Sequence, residues 1–242
     1  PLVHPKLDEF VEICNEFEVK IFLVTNGVLM REKQQALLLA PAFRQINFSL
    51  HSFHDNFPDR DPTNYLKAIF EFTQNAFEAR PDLYINYRLW NLKDVRGSKN
   101  MNLDMLKQIG DYFQVPFNHE IDVRHNKSIH LKNRLYLHFD TEFIWPSTDL
   151  PVLGTQGTCY GLSSHFGILV DGTLVPCCLD KEGAIPLGNI EDQTVEQILN
   201  SQRAIKILNG FRQRKLHESL CQRCQYIERF QPAQASLQDY SK

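Results

Sequence analysis

Val19-Lys-Ile-Phe-Leu-Val-Thr-Asn-Gly27 is a short apolar run closed by a turn. Such a run reads as a strand buried on both faces that delivers its carboxyl end to a loop, as in a parallel sheet. The flanking sequence agrees. Leu7 to Phe17 has helical spacing, with Leu7, Phe10, Val11, Cys14 and Phe17 on one face, so Cys14 is expected to pack in a core. A helical stretch from Arg31 to Ala40 stops before Pro41. Gln45-Ile-Asn-Phe-Ser-Leu-His51 then alternates with period two, turning Ile46, Phe48 and Leu50 toward helices and Asn47, Ser49 and His51 to the other side. In a barrel that other side is the interior, and a polar interior implies a ligand cavity. Asp61-Pro62 predicts a cap and first helical position for a helix running to Arg80-Pro81. Leu83 to Trp90 alternates again, with Asn86 and Arg88 on one parity. Leu103, Leu106, Ile109 and Phe113 mark another amphipathic helix, and Arg134 to Asp140 a further strand within the weakly patterned region from Asn118 to Trp145. Strands alternating with helices predict an α/β class with a parallel sheet or barrel.

The chain has 242 residues, 43% of them hydrophobic, enough for one domain and a smaller appendage. Its 26 basic and 29 acidic residues give a formal charge of −3, which offers no electrostatic footprint for nucleic acid or a membrane surface. No apolar run reaches the roughly 18 residues of a membrane span, and no signal core is visible at the start, so the cytoplasm is the expected compartment. In a reducing compartment six cysteines read as metal ligands or buried thiols rather than disulfides.

Four of the six are spaced like ligands of one centre. Cys159 is followed by Gly172 after twelve intervening residues, Cys177 after four more, and Cys221-Gln-Arg-Cys224 after a further 43. A Cys-x-x-Cys pair puts two thiolates on one metal from a tight turn, and Cys159 and Cys177 fit as the distant pair. Between them, Ile168-Leu-Val-Asp-Gly-Thr-Leu-Val175 is two apolar runs around Asp171-Gly172, which predicts a type I′ hairpin aiming Cys177. Cys178, its neighbour, is an equally available ligand. Pro146 to Thr158 reads as a linker, Thr194 to Leu208 as helical with Gly210 as its terminator, and the tail beyond Pro232 as frayed.

The cysteine pattern resembles the SPASM-type auxiliary-cluster domain of radical S-adenosylmethionine enzymes. The larger family pattern continues with two more cysteines where this chain has Phe230 and Gln234, so the resemblance implies a single auxiliary [4Fe-4S] cluster on Cys159, Cys177 (or Cys178), Cys221 and Cys224. Upstream, the Thr25-Asn26-Gly27 turn and Ser49-x-His51 resemble the ends of the third and fourth strands of that family's barrel. Pro1-Leu-Val-His-Pro5 resembles the stretch that follows its Gly-Gly-Glu motif. The resemblance therefore implies a partial α/β barrel over residues 1–145, lacking its first strands, then a SPASM-like domain over 146–232 and a tail over 233–242.

It further implies that the intact protein is an oxidoreductase-like enzyme with a second [4Fe-4S] cluster on a Cys-x3-Cys-x2-Cys triplet that these residues do not contain. That cluster would bind and reduce S-adenosylmethionine, with Asn26, Ser49 and Arg88 as cosubstrate contacts. The expected partners are the cosubstrate, a peptide or protein substrate and an electron donor. Arg88 could instead pair with a nearby carboxylate. His51-x2-His54 lacks the helical setting and carboxylate companion of a metal motif, and His51 is better read as facing substrate. The alternative class is a non-enzymatic α/β protein whose four cysteines hold a structural zinc in an interaction module.

Overall fold

The computed structural model describes residues 1–92, 100–116, 127–142 and 144–230. The chain divides into two compact units, Pro1–Glu142 and Phe143–Lys242.

In the first unit, α1 (Leu7–Glu16) leads to β1 (Ile21–Thr25), α2 (Glu32–Leu37), β2 (Phe43–Ser49), α3 (Ser52–Asn56), α4 (Thr63–Ala79), β3 (Tyr84–Leu92), α5 (Asn100–Phe113), β4 (Ser128–Lys132) and β5 (Leu135–Thr141). The sheet order is β1-β2-β3-β5-β4, parallel across the first four strands and closed at one edge by antiparallel β4. The unit is thus α/β with a parallel sheet, as the strand and helix alternation predicts. β4 was not foreseen: its Ser128-Ile-His-Leu-Lys132 is too polar and too short to stand out before the hairpin with β5 pairs it.

Period two decides the two faces. Ile46, Phe48, Ile85, Tyr87, Leu89, Leu135, Leu137 and Phe139 are all buried in one core with Leu66, Ile69 and Phe72 of α4 and Ile109 of α5. Thr73 on α4 resolves its buried hydroxyl by donating to Ile69 O (2.8 Å) and meeting the Tyr87 hydroxyl at 2.6 Å. α4 starts one residue later than expected, with Pro62 rather than Asp61 at its cap position; the Asp61 carboxylate still accepts from Thr63 N (3.0 Å) and Thr63 Oγ1 (2.7 Å) ahead of the helix.

β1 departs from the two-sided burial read from its apolar run. Leu23 and Thr25 are buried on the face of Ile46 and Phe48, but Phe22 and Val24, on the other face beside Gln45 and Asn47, are 61% and 46% exposed. On α1 only Val11 is buried; Leu7 and Cys14 pack against the core, whereas Phe10 and Phe17 are exposed. α2 is also shorter than the pattern from Arg31 to Ala40, since residues 38–40 form a turn.

In the second unit, β6 (Gly167–Ile168), β7 (Thr173–Val175) and β8 (Gly188–Asn189) form an antiparallel sheet, followed by α6 (Val195–Leu199), α7 (Gln202–Arg212) and two 3-10 turns, Cys221–Arg223 and Gln225–Phe230. The hairpin is present but its turn is not type I′. Gly172 has φ +82°, Asp171 is not in the positive-φ region, Gly172 N donates to Leu169 O (3.0 Å) and Leu169 N to Thr173 O (2.9 Å). This is a three-residue loop with a glycine bulge, and Asp171 Oδ1 accepts from Thr173 N (3.0 Å), which fixes the aspartate without a left-handed backbone.

The helical stretch from Thr194 is two helices. Thr194 and Gln197 cap α6 reciprocally, while Ser201 Oγ starts α7 by accepting from Ala204 N (3.3 Å). Gly210 does not end a helix: it lies inside α7, where an added Cβ would meet the His217 ring and Lys215 O (2.8 Å), so it is there for close packing. The tail over 233–242, and Gln234, lie outside the described residues. Among the described residues no helix is long and apolar enough to cross a membrane.

Candidate functional site

The cysteines come together in the second unit. The β6–β7 loop feeds Val175 into Pro176-Cys177, and Gly161 lets the Cys159 loop lie on it: a Cβ at Gly161 would stand 2.9 Å from Pro176 O and 3.7 Å from Cys177 Cβ. Cys159 and Cys221 pack against a small apolar cluster that includes Phe211, Leu216, Leu220 and Ile227. Leu153 N donates to Gln222 O (2.8 Å), which ties the segment preceding Cys159 to the Cys221–Cys224 turn.

The electrostatics of the group show that the thiols are neighbours. Burial pushes all four up, Cys177 to about 11, and the nearby thiols Cys177, Cys159 and Cys224 push Cys221 further in the same direction. Gly161 N donates to Cys159 Sγ at 3.4 Å, while Asp180 N and Ile227 N close turns onto Cys177 O (3.2 Å) and Cys224 O (3.3 Å). Cys159 thus carries a backbone donor on its sulfur. That arrangement stabilises sulfur carrying negative charge, as metal-bound thiolates do.

Asp180 secures the loop after Cys177: its buried carboxylate accepts from Ala184 N (2.7 Å) and Ile185 N (2.8 Å). Cys177 is half-buried in this group, whereas Cys178 is exposed. Among the described residues no three His, Cys, Asp or Glu side chains are arranged to hold one metal ion. A tetrahedral zinc with Zn–S near 2.3 Å would hold its sulfurs roughly 3.8 Å apart, and a polynuclear cluster spreads its ligands more widely. Four thiols gathered by one loop cluster are the donor set that iron-sulfur clusters use.

In the first unit the carboxyl ends of β1 and β2 open onto a cavity of about 610 Å³ whose lining includes Thr25, Asn26, Ser49, His51, Ser52 and Asn56. This is where open parallel sheets place ligands. The end of β1 is rigid: Gly27 has φ +73°, its N–H donates to Thr25 Oγ1 (3.1 Å), Asn26 Oδ1 accepts from Val28 N (3.2 Å), and Asn26 O accepts from Tyr65 OH (2.6 Å). Asn26 and Ser49 are thus brought into one cleft. Arg88 does not line it. It is the register partner of Ser49 on β3, and its guanidinium lies 4.6 Å from the centre of the Trp90 ring. His51 lines the cleft, with Nδ1 3.0 Å from Arg88 O and 3.3 Å from Trp90 N; His54 stacks at an edge on Phe53 instead.

Below the cleft, Asn47 is buried on the helix-free face. Its amide donates to Leu23 O (2.9 Å) and accepts from Gln45 Nε2 (2.8 Å) and Asn86 Nδ2 (2.9 Å), so this polar residue crosslinks three strands rather than facing an open lumen. Sequence reading missed Arg80. Its guanidinium binds Leu39 O (2.8 Å), Ala40 O (2.5 Å) and Phe43 O (3.1 Å) together with the Asp82 carboxylate, and nothing in local periodicity marks such a role.

Comparison with known proteins places the cysteine segment in a class: residues 159–225 match the SPASM family, an iron-sulfur cluster-binding domain. Solved structures of native anSMEcpe resemble the chain more distantly. One, with bound AdoMet and Kp18Cys peptide, is 15% identical, covering 92% of this chain and 71% of that one with a TM-score of 0.49. Another, with bound AdoMet and Cp18Cys peptide, is 18% identical, covering 91% and 68%, with a TM-score of 0.41. No curated protein matches the chain. Likeness at these scores carries no functional weight, and the chemistry rests on the cysteine segment.

Proposed function

We propose that the intact protein is a radical S-adenosylmethionine enzyme whose SPASM-like domain carries one auxiliary [4Fe-4S] cluster on Cys159, Cys177, Cys221 and Cys224. The observation that carries this is the coincidence of the SPASM match over residues 159–225 with four half-buried thiols that influence one another's titration. Cys177 is the third ligand of choice because it is half-buried with Cys159 and Cys221, while Cys178 is exposed.

Reductive cleavage of S-adenosylmethionine would supply a carbon radical able to abstract hydrogen from substrate, and it needs a second cluster whose ligands are not among these residues. Within this chain, Asn26 and Ser49 would orient the cosubstrate in the strand-end cleft, whose volume lies in the range of small-molecule sites. Arg88, held against Trp90 on the neighbouring strand, does not line that cleft, so Asn26 and Ser49 carry the proposed cosubstrate contacts. His51 sits at the mouth toward substrate. A peptide or protein is the substrate class proposed, on the strength of the SPASM resemblance.

Iron and sulfide analysis of anaerobically purified protein tests the reading. About four irons and as many sulfides are expected per auxiliary site, lost in Cys224→Ala and kept in Cys14→Ala. Stoichiometric zinc without sulfide would overturn it.

A further inference from the structure

Asn26-Gly27 follows β1 directly and is one of two Asn-Gly pairs in the chain, the other being Asn209-Gly210 inside α7. An asparagine followed by glycine is open to self-modification, because a glycine has no Cβ to keep its main-chain nitrogen away from the asparagine side-chain carbon. In that reaction a bond forms between Gly27 N and Asn26 Cγ and the Cγ–Nδ2 bond breaks. The proton from Gly27 N leaves with Nδ2 as ammonia. Water then opens the five-membered imide to aspartate or isoaspartate, with no change of oxidation state.

The groups that this reaction must move are held. Gly27 N donates to Thr25 Oγ1 (3.1 Å), Asn26 O accepts from Tyr65 OH (2.6 Å) and Asn26 Oδ1 accepts from Val28 N (3.2 Å). The peptide unit joining the two residues is therefore fixed at its nitrogen and at its oxygen, and the side-chain amide at its own oxygen. Gly27 has no room to swing either: at φ +73° a Cβ on it would meet Ile69 Cδ1 at 2.8 Å and Phe48 Cδ1 at 3.0 Å. Asn26 is exposed and lines the cavity, so water for the second step is at hand and restraint has to act on the first. Thr25, by contrast, is buried on β1, which holds its hydroxyl in place.

We infer that Thr25 is a positioning residue that keeps Asn26 an amide. Its hydroxyl occupies the Gly27 N–H, which must lose its proton and turn onto Asn26 Cγ before the chain can cyclise. What the amide is kept for rests on the cosubstrate reading above; its protection does not. Conversion would put a carboxylate where the cleft now offers an amide, and isoaspartate would lengthen the main chain by one carbon in a turn packed against Ile69 and Phe48. A threonine that merely satisfies a strand end predicts no change in the fate of Asn26 when its hydroxyl is removed.

The purified chain is held at mildly alkaline pH, digested and mapped by mass spectrometry, with isoaspartate read by enzymatic methyl transfer. The wild type is expected to convert Asn26 far more slowly in the native state than in urea. Thr25→Val, which keeps the shape and removes the hydroxyl, is expected to speed native conversion about two- to tenfold, the weight of one hydrogen bond expressed as a rate. Thr25→Ser, which keeps the oxygen, should stay at the wild-type rate. Asn209-Gly210 in the same digest gauges general loosening and should respond to neither variant. A native wild-type rate equal to the urea rate overturns the inference. So does a Thr25→Val protein of native circular dichroism that converts Asn26 at the wild-type rate, a Thr25→Ser protein as fast as Thr25→Val, or an acceleration at Asn209 that matches the one at Asn26. None of these outcomes depends on iron or sulfide content, so failure here leaves the proposed function standing.

Discussion

Replacing Gly161 by alanine tests the convergence of the cysteine loops directly. The new methyl would lie 2.9 Å from Pro176 O, closer than Cβ atoms are found to other heavy atoms, with Cys177 Cβ and Phe211 Cε2 at 3.7 Å. The obstructing atom is backbone in the residue before Cys177, so relief requires the Cys159 loop to move away from Cys177. Overpacking of this kind costs about 1–3 kcal/mol, and at about 1.4 kcal/mol per factor of ten that is a roughly 5- to 150-fold loss in cluster retention. Gly154→Ala is the control, since nothing lies within 4 Å of its added methyl. Both variants gain the same unfolded-state entropy benefit of about 0.4–1 kcal/mol, so their difference isolates the clash. The assay is iron per chain and the rate of bleaching under chelator, at constant reductant. Equal resistance in Gly161→Ala and Gly154→Ala would refute the reasoning, because the two loops could then not be in contact.

Arg80→Ala should destabilise the first unit by about 2–4 kcal/mol in chemical denaturation, since it strips charged donors from three main-chain carbonyls at once. His138, the register partner of Arg88, has its pKa lowered by burial and by that guanidinium. The unfolded chain therefore takes up a proton before the folded one does as pH falls below about 6.5, so stability should decline there, and His138→Gln should flatten that part of the curve. Among the described residues β1 is an edge strand, with Phe22 and Val24 exposed, so light scattering of these 242 residues should rise with concentration, and Phe22→Lys should suppress the rise. These residues alone are expected to yield no 5′-deoxyadenosine from S-adenosylmethionine under reducing conditions, because a cluster closed by four thiolates leaves no iron open; product formation would show a free coordination position.

Period-two alternation sufficed for the strand faces: Ile46 and Phe48 are buried under helices where their parity puts them, and Asn47 and Ser49 are on the other side. The same local pattern could not report edges. The apolar run from Val19 looks like a strand buried on both faces, yet Phe22 and Val24 lie on the face of Gln45 and Asn47, and only the packed structure shows that they are exposed there. Nor could it report which polar residues are crosslinks. Asn47 reads as a cavity residue until Leu23 O and Asn86 are seen beside it.

The sequence by itself singled out the segment from Cys159 to Cys224, which matches an iron-sulfur cluster-binding domain, because cysteine spacing and the intervening Asp171-Gly172 turn are read along one stretch of chain. It also determined that strands and helices alternate, since hydrophobic period is set by each element's own geometry. Tertiary structure decided what depends on contacts between distant residues: that Cys177 rather than Cys178 is buried with Cys159 and Cys221, that Asn26 and Ser49 share a cleft which Arg88 does not line, and that Gly210 is a packing residue inside α7. Burial and proximity are properties of the packed chain, and residues 37 or more positions apart have no local signal by which to announce that they touch.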